Sequence, residues 1–171
     1  MDPLVVVVMG SKSDLPHAEK VRAALKEFGL TCELRVASAH KSARHLLRLL
    51  AEYEAPERPL VYIAVAGRSN ALGGLMDTNT VRPVINCPPY SDRFGGVDIF
   101  SSLRMPGGVA CLTVLEPQAA ALAAAKILAL HDPALAQRVR SYQKSLETTI
   151  VQQDEEVRSD PWAPPLQIPT D

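Results

Sequence analysis

The sequence predicts a three-layer α/β fold, in which an open, doubly wound parallel sheet lies between helices and a long helix follows near the C-terminus. Short, continuous apolar runs rich in β-branched residues indicate strands that are buried on both faces. The predicted strands alternate with apolar stripes at helical spacing, and a polar cluster follows each of the first three strands. With 171 residues, 47% of them hydrophobic and 22% charged, the chain has the size and composition of one globular domain.

The first half of the chain contains three predicted strands and the helices between them. The strands are predicted at Leu4–Met9, at about Thr31–Val36 and at residues 60–66. The helical stripe after the first strand, which Gly29 terminates, consists of Ala18, Val21, Leu25 and Phe28. The stripe after the second strand consists of Ala43, Leu46, Leu47, Leu50 and Tyr53.

The second half of the chain is less regular. Residues 81–86 and 109–115 are predicted as a fourth and a fifth strand, and a Pro/Gly-rich connection follows residue 86 to about residue 96. Residues 117–130 are predicted as a helix that is apolar on nearly every side. We expect such a helix to be buried all round, against its own sheet or against another subunit.

A long amphipathic helix is predicted next, with a stripe formed by Leu135, Val139, Tyr142, Leu146 and Ile150. Because the other helices already cover the faces of so small a sheet, we expect this helix to reach a neighbouring copy of the chain. Residues 159–171 contain four prolines and one tryptophan and are predicted to form a flexible tail. The predicted catalytic domain is therefore residues 1–158.

Composition argues against several classes of protein. The net charge of −1 argues against a nucleic-acid-binding protein, and the aromatic content of 5% argues against a surface for stacking single-stranded bases. Cys32, Cys87 and Cys111 lie far apart, so neither a disulfide framework nor a zinc site is expected. The N-terminus lacks the basic start of a signal peptide, and Lys126 interrupts an Ala/Leu-rich run too short to span a bilayer. We therefore expect a cytoplasmic protein without a membrane partner.

Each of the first three predicted strands ends in a polar cluster. The clusters are Ser11, Ser13 and Asp14; Ser38, His40 and Lys41; and Gly67, Arg68, Ser69 and Asn70. Ligands of open parallel sheets bind outside the carboxyl ends of the strands, and the first N–H groups of the following helices favour an anion. The sequence therefore predicts one phosphate or carboxylate site, which serine hydroxyls and the charges of Lys41 and Arg68 complete.

Each cluster also has a purely structural explanation. Ser13 or Asp14 taken alone is more simply explained as a helix cap, and Ser38 as a residue that forms a local turn. His40 taken alone is more often a loop histidine than a catalyst, and Gly67 is also typical of a tight turn. The expectation of a site depends on the convergence of three strand ends.

Motifs that the sequence lacks narrow the chemistry further. It contains no P-loop, no G-x-G-x-x-G after the first strand, no G-x-S-x-G, and no His/Asp/Glu group with metal-ligand spacing. The remaining prediction is a site with no cofactor and no metal. It contains one group that titrates near neutrality and several hydrogen-bond donors that can bind a phosphate. Such a site suits proton transfer on a small phosphorylated substrate.

The ordered set of clusters resembles the aminoimidazole ribonucleotide (AIR) carboxylase family of purine biosynthesis. The matching segments are G-S-K-S-D at 10–14, S-A-H-K at 38–41 and A-G-R-S-N-A-L-G at 66–73. The resemblance runs from Val5 to about residue 155 and includes Cys87-Pro88-Pro89 and residues 101–106. It is compatible with the predicted fold, which is of the flavodoxin-like type.

The third segment distinguishes two branches of this family. The mutase branch, which moves a carboxylate from the exocyclic nitrogen to the ring carbon, usually has A-G-G-A-A-H-L-P here and S-A-H-R in the second segment. In this chain Arg68, Ser69 and Asn70 replace Gly-Ala-Ala, no His follows, and Lys41 replaces the Arg. The chain therefore resembles the branch that adds carbon dioxide to AIR and gives carboxyaminoimidazole ribonucleotide (CAIR), a carboxy-lyase reaction without ATP.

The resemblance also implies roles for the clustered residues. Ser11 and Asp14 would contact the ribose-phosphate, and Ser13, Ser38 and Lys41 would hold the phosphate. Gly67, Arg68, Ser69 and Asn70 would line the pocket for carbon dioxide and the new carboxylate. His40 would be the acid/base that removes the proton from the ring carbon, a step that suits a pKa near neutrality. Family members form octamers with sites shared between subunits, so a homo-octamer is the implied assembly.

Three alternatives stay open at this point. The N-carboxyaminoimidazole ribonucleotide mutase of the same family requires the N-carboxylated nucleotide instead of carbon dioxide. A non-catalytic, flavodoxin-like nucleotide-binding module would use the same anion sites without needing His40. A flavin protein is the third alternative, and its purified form would be coloured.

Overall fold

Five parallel strands form the sheet of the computed structural model, which describes residues 2–55 and 57–159. The strands are β1 (Leu4–Met9), β2 (Thr31–Val36), β3 (Leu60–Val65), β4 (Val84–Asn86) and β5 (Leu112–Thr113). They pair in the order β2-β1-β3-β4-β5, which is the order of flavodoxin-like doubly wound sheets. The predicted fold class is therefore confirmed.

Helices cover both faces of this sheet. They are α1 (Leu15–Glu27), α2 (Ala43–Glu54), α3 (Ala71–Asp77), α4 (Phe100–Leu103), α5 (Pro117–Leu128) and α6 (Pro133–Arg158). Because successive strand residues point to opposite faces, Val5 and Val7 pack with α1, α5 and α6, whereas Val6 and Val8 pack with α2 and α3. All residues of β1 and β3 are buried, as the continuous apolar runs predicted. Gly29, with a φ of +68°, follows α1 as its predicted stop.

The fourth and fifth strands are shorter than predicted. Val81 is 92% exposed, and β4 starts only at Val84, directly after Pro83, which has no N–H to donate to a neighbouring strand. The two residues of β5 pair with Ile85 and Asn86, the last two residues of β4. The connection that follows β4 contains short 3-10 turns within Arg93–Ile99, which Phe94, Gly95 and Gly96 interrupt with positive φ angles, and then α4.

Two predicted helical faces differ from the structure. Leu47 is exposed, and Leu49 takes its place on the buried face of α2, because the helix turns that position away from the sheet. The helix predicted at residues 117–130 ends at Leu128 and is buried on one broad face instead of all round. That face packs against α1, the sheet and α6, and Lys126 lies on the exposed side.

The long C-terminal helix is present, but only its first third packs on the domain. Leu135 and Val139 are buried, and the ring of Tyr142 meets that of Phe28 edge to face at 5.3 Å. Leu146 and Ile150 continue the stripe and are 48% and 65% exposed, respectively. The tail predicted at residues 159–171 lies, apart from Ser159, outside the described residues. Within the described residues, no helix is both long enough and apolar enough for a membrane span.

Candidate active site

The three polar clusters meet in one cleft at the carboxyl ends of β1, β2 and β3. Its volume of about 520 Å³ falls within the range of roughly 300–1,000 Å³ that is usual for small-molecule sites. The predicted site residues that line it are Ser11, Ser13, Asp14, Ser38, His40, Lys41, Gly67, Arg68 and Ser69. Gly10, Ala66 and Leu72 complete the wall. Among the predicted residues, Asn70 alone does not line this cleft.

Hydrogen bonds fix the first cluster in a capping box before α1. The Ser11 N–H donates to Asp14 Oδ2 at 3.1 Å, and the Ser13 N–H donates to Ser11 Oγ at 3.3 Å. The Ser13 hydroxyl also donates to Ser11 Oγ, at 3.0 Å. Both exposed serines line the cleft, and Ser11 caps the 3-10 turn that precedes α1. The expected cap of α1 by Ser13 or Asp14 is not formed, because Ser13 lies inside that turn and Asp14, at the N-cap position of α1, makes no side-chain hydrogen bond to the helix.

The carboxyl group of Asp14 is partly buried beside these serines. Burial raises the pKa of Asp14 above its ordinary value, and the Ser11 N–H and the nearby His17 act in the opposite direction. A partly buried carboxylate is a good acceptor for hydroxyl groups but repels an anion. The position of Asp14 therefore suits ribose hydroxyls better than a phosphate.

The second cluster is a turn that Ser38 and Ser42 hold together. The Ser42 N–H donates to Ser38 O at 2.9 Å, and the Ser38 N–H donates to Ser42 Oγ at 3.0 Å. The Lys41 N–H donates to Ser38 Oγ at 3.2 Å. This turn presents the exposed side chains of His40 and Lys41 to the cleft, just before the first turn of α2. A positive side chain near a helix N-terminus is a suitable arrangement for a phosphate.

The third cluster begins where β3 ends and contains a strained residue. Arg68 has a φ of +35°, a left-handed conformation that residues other than glycine rarely adopt. Such conformations persist where the surrounding structure holds them, and they concentrate at functional sites. Arg68 and Ser69 are exposed in the cleft opposite the second cluster, so the cleft carries positive charge on two of its sides.

Asn70 has a different place from the other predicted residues. It is 1% exposed and caps α3, where its Oδ1 accepts from the Gly73 N–H at 3.2 Å. Its Nδ2 donates to Ser102 Oγ at 2.8 Å. An asparagine before a helical segment is a sequence signal for a cap, but a partner 32 residues away leaves no local signal. The substrate contact that the resemblance implied for Asn70 has no counterpart in this geometry.

A second cavity, of about 580 Å³, lies next to the cleft and shares Gly67 with it. Sequence reasoning did not anticipate this cavity, whose walls include Pro88, Pro89 and His17. His17 Nε2 lies 3.4 Å from the sulfur of Cys87, and burial lowers the pKa of the imidazole. Burial also raises the pKa of the Cys87 thiol to about 12, so the thiol stays protonated. Although this cavity is the larger, the smaller cleft is the better candidate site because the three loops and their anion donors converge there.

The donor set of the cleft suits an anionic, hydroxyl-rich ligand beside a titratable imidazole. Serine hydroxyls and the charged groups of Lys41 and Arg68 are suitable partners for a phosphate or carboxylate, and the carboxylate of Asp14 is a suitable acceptor for hydroxyl groups. Within residues 2–55 and 57–159, no group of three His, Cys, Asp or Glu side chains is placed to hold a metal ion.

Comparison with known proteins gives consistent similarities over nearly the whole described chain. The model of the family described as AIR carboxylase matches residues 4–149. The phosphoribosylaminoimidazole carboxylase of Treponema denticola is 49% identical over 158 residues, which cover 92% of this chain and 99% of that protein. The enzyme of the same name from Archaeoglobus fulgidus is 50% identical over 153 residues, which cover 90% of this chain and 84% of that protein.

A human protein and a crystal structure extend these similarities. The human bifunctional phosphoribosylaminoimidazole carboxylase/phosphoribosylaminoimidazole succinocarboxamide synthetase is 47% identical over 154 residues, which cover 90% of this chain and 36% of the human protein. The crystal structure of Treponema denticola PurE matches with a TM-score of 0.89 at 50% identity. That match covers 90% of this chain and 98% of the other.

Proposed function

This chain belongs to the AIR carboxylase family, and from that premise we propose that it is a phosphoribosylaminoimidazole carboxylase of purine biosynthesis, which adds carbon dioxide to AIR and gives CAIR. The observation that carries the proposal is the convergence of three strand-end loops on one cleft of nucleotide size. The cleft combines hydrogen-bond donors for a phosphate, a carboxylate that accepts hydrogen bonds from hydroxyl groups, and an imidazole. These are the groups that this reaction needs.

The phosphate of AIR binds at the end of the cleft that the loops after β1 and β2 form. Ser13, Ser38 and Lys41 surround that end, and the first turn of α2 adds the partial positive charge of a helix N-terminus. Asp14 accepts from the ribose hydroxyls, because its carboxylate sits deeper than the serines and would repel a phosphate. This orientation directs the aminoimidazole ring towards the third cluster.

The ring carbon of AIR is nucleophilic because it is part of an enamine. Its electron pair attacks the carbon of carbon dioxide, one C–O π bond becomes a carboxylate lone pair, and the ring carbon becomes tetrahedral while it still carries its hydrogen. His40 removes that proton, and the electrons of the C–H bond restore the aromatic ring. A positioned acid/base of this kind contributes about 10²–10⁴-fold to the rate.

Residues of the third cluster stabilise the new carboxylate. Arg68 supplies a positive charge, Ser69 supplies a hydroxyl, and the backbone N–H groups after Gly67 add further donors. The reaction requires neither ATP nor a metal ion in this proposal, because the enamine is sufficiently nucleophilic and the products need no Lewis acid.

Two substrates separate this proposal from its alternatives. Purified protein is supplied either with AIR and bicarbonate buffer or with the N-carboxylated nucleotide, in both cases without ATP, and CAIR formation is followed. We expect CAIR from AIR and dissolved carbon dioxide. CAIR formed only from the N-carboxylated nucleotide would identify a mutase, and nucleotide binding without any turnover would identify a binding module.

The proposal includes a cytoplasmic homo-oligomer, an octamer by family resemblance, whose catalytic domain is residues 1–158. The exposed side chains of Leu146 and Ile150 support an assembly, because they continue an apolar stripe beyond the body of the domain. Light scattering on the purified protein tests this part, and a monomeric mass would contradict it.

A further inference from the structure

A buried hydrogen-bond network connects the third cluster of the cleft to α4. The Asn70 N–H donates to Ser101 Oγ at 3.1 Å, and Asn70 Nδ2 donates to Ser102 Oγ at 2.8 Å. Asn70 and Ser102 are 1% and 3% exposed, so water does not compete for the bond between their side chains, whereas the bond to Ser101 is partly buried. Asn70 thus joins two segments of the chain that are distant in sequence, in addition to capping α3.

The network continues from α4 to the edge of the sheet. The Thr113 hydroxyl, on β5, donates to the backbone oxygen of Ser102 at 3.0 Å. The Val114 N–H donates to the backbone oxygen of Asn86 at 2.9 Å, so β5 is in turn bonded to β4. The loop after β3 is therefore held from the side of α4 and β5, away from the loops that carry Ser13, Ser38 and Lys41.

The segment that this network holds is the strained one. Arg68 lies two residues before Asn70, and its φ of +35° requires neighbouring contacts to maintain it. Asn70 supplies such contacts with its backbone N–H and with both atoms of its amide. The backbone from Gly67 to Ser69 is consequently fixed at its far end by Asn70.

We propose that Asn70 is a positioning residue for the carboxylation step: through Ser101 and Ser102 it fixes the Gly67–Ser69 backbone that faces the new carboxylate. This inference rests on the proposed function. It assigns Asn70 no contact with the substrate, and it predicts a loss of kcat with little change in nucleotide affinity. The reason is that the phosphate and ribose contacts belong to the other two loops.

Two variants separate the positioning bonds from the helix cap. Asn70→Ser retains an oxygen for the Gly73 N–H, but its shorter side chain does not reach Ser102. Ser102→Ala removes the same bond from the other side and leaves Asn70 in place. Asp132→Ala is the matched control, because Asp132 caps α6 by accepting from the Leu135 N–H at 2.9 Å and does not line the cleft.

The experiment measures kcat with AIR and carbon dioxide, the Kd of AIR by calorimetry, and the unfolding midpoint for each protein. We expect Asn70→Ser and Ser102→Ala each to lower kcat by about 10- to 100-fold, with the Kd of AIR changed by less than about threefold. In the double variant, kcat should fall by no more than in the more strongly affected single variant, because both changes remove the same hydrogen bond. Asp132→Ala should lower the unfolding midpoint and leave kcat within about twofold of the wild type.

Three results would overturn the inference. They are an unchanged kcat in the Asn70→Ser protein, a Kd of AIR that rises by the factor by which kcat falls, and losses that add fully in the double variant. If Asn70→Ser does not fold, Ser102→Ala decides alone, with the same two limits on kcat and Kd. The wild type in the same assay tests the proposed function separately. If the wild type forms CAIR and the Asn70→Ser protein has the same kcat, this inference is contradicted and the proposed function is not.

Discussion

The close packing of α3 on β4 predicts that Gly73→Ala destabilises the protein. A β-carbon added to Gly73 would overlap Oδ1 of Asn86 and lie 2.9 Å from its Cγ. Asn86 is 0% exposed at the end of β4, so its side chain cannot turn out into solvent. The alanine therefore fits only if α3 moves away from the sheet or the amide leaves its site.

The expected size of the effect is the difference between two opposing terms. Overpacking of a filled core typically costs about 1–3 kcal/mol, and this overlap with a buried group belongs at the upper end. The higher helix propensity of alanine returns at most about 1 kcal/mol. We therefore expect the free energy of unfolding to fall by about 2 kcal/mol, which lowers the thermal midpoint by about 4–8 °C for a chain of this length.

The neighbouring glycine provides the control. A β-carbon added to Gly74 would lie 3.6 Å from Met105 Sδ and 4.0 Å from Val109 Cγ1, which are ordinary contacts. Gly74→Ala should therefore be neutral or more stable than the wild type by up to about 1 kcal/mol. Both variants lie in the same helix, so a difference between them reports the packing against Asn86 and not helix propensity.

Urea unfolding followed by circular dichroism measures both variants at one fixed protomer concentration, because assembly makes apparent stability depend on concentration. On an Asn86→Ala background, Gly73→Ala should be much less destabilising, since the amide that it overlaps has been removed and only the contact with Asn70 Oδ1 at 3.1 Å remains. Equal stability of the Gly73→Ala and Gly74→Ala proteins would refute the packing argument.

Two further predictions concern the cleft and its neighbouring cavity. Lys41→Ala should raise the Kd of AIR by about 10- to 100-fold, because a hydrogen bond to a charged group contributes about 1.5–3 kcal/mol; calorimetry that gives an unchanged Kd would contradict the phosphate role. Burial, followed by the charge of Lys20, lowers the pKa of His17 below 6.5, so near that pH the unfolded chain binds more protons than the folded one. The stability that neutral His17 contributes is therefore fully present above pH 6.5. It is lost as the pH falls from 6.5 through the lower pKa that His17 has in the folded protein. Urea midpoints measured from about pH 7 to about pH 5 should fall less steeply for His17→Gln than for the wild type, and parallel curves would contradict this prediction.

The strands that carry the first and third clusters were predictable because they are buried on both faces, whereas β2, which carries the second cluster, is an edge strand with exposed residues. The runs of β1 and β3 are continuous and apolar, so neither their type nor their position depended on distant contacts. The edge of the sheet was less predictable. Residues 109–115 are as apolar as a buried strand, yet only Leu112 and Thr113 pair, with Ile85 and Asn86 of β4, and an apolar run alone does not indicate how many of its residues pair.

The sequence was sufficient to predict those site residues that directly follow a strand. Parallel strands align their carboxyl ends, so the loops at residues 11–14, 38–41 and 67–69 had to meet once the strand order was known. The place of Asn70 was not predictable, because its partners Ser101 and Ser102 are 31 and 32 residues away. The exposure of Leu47 likewise depends on how α2 is rotated on the sheet, which spacing alone leaves open.

In the proposed mechanism, His40 acts on a ribonucleotide that the three loops hold in one cleft. This role is tested by measuring the Kd of AIR and the rate of CAIR formation for the wild type and His40→Asn in the same preparation and buffer. We expect a nearly unchanged Kd and a carboxylation rate lower by about 10²–10⁴-fold, because asparagine retains polarity but cannot accept the proton. A His40→Asn protein that forms CAIR at the wild-type rate would remove His40 from the mechanism.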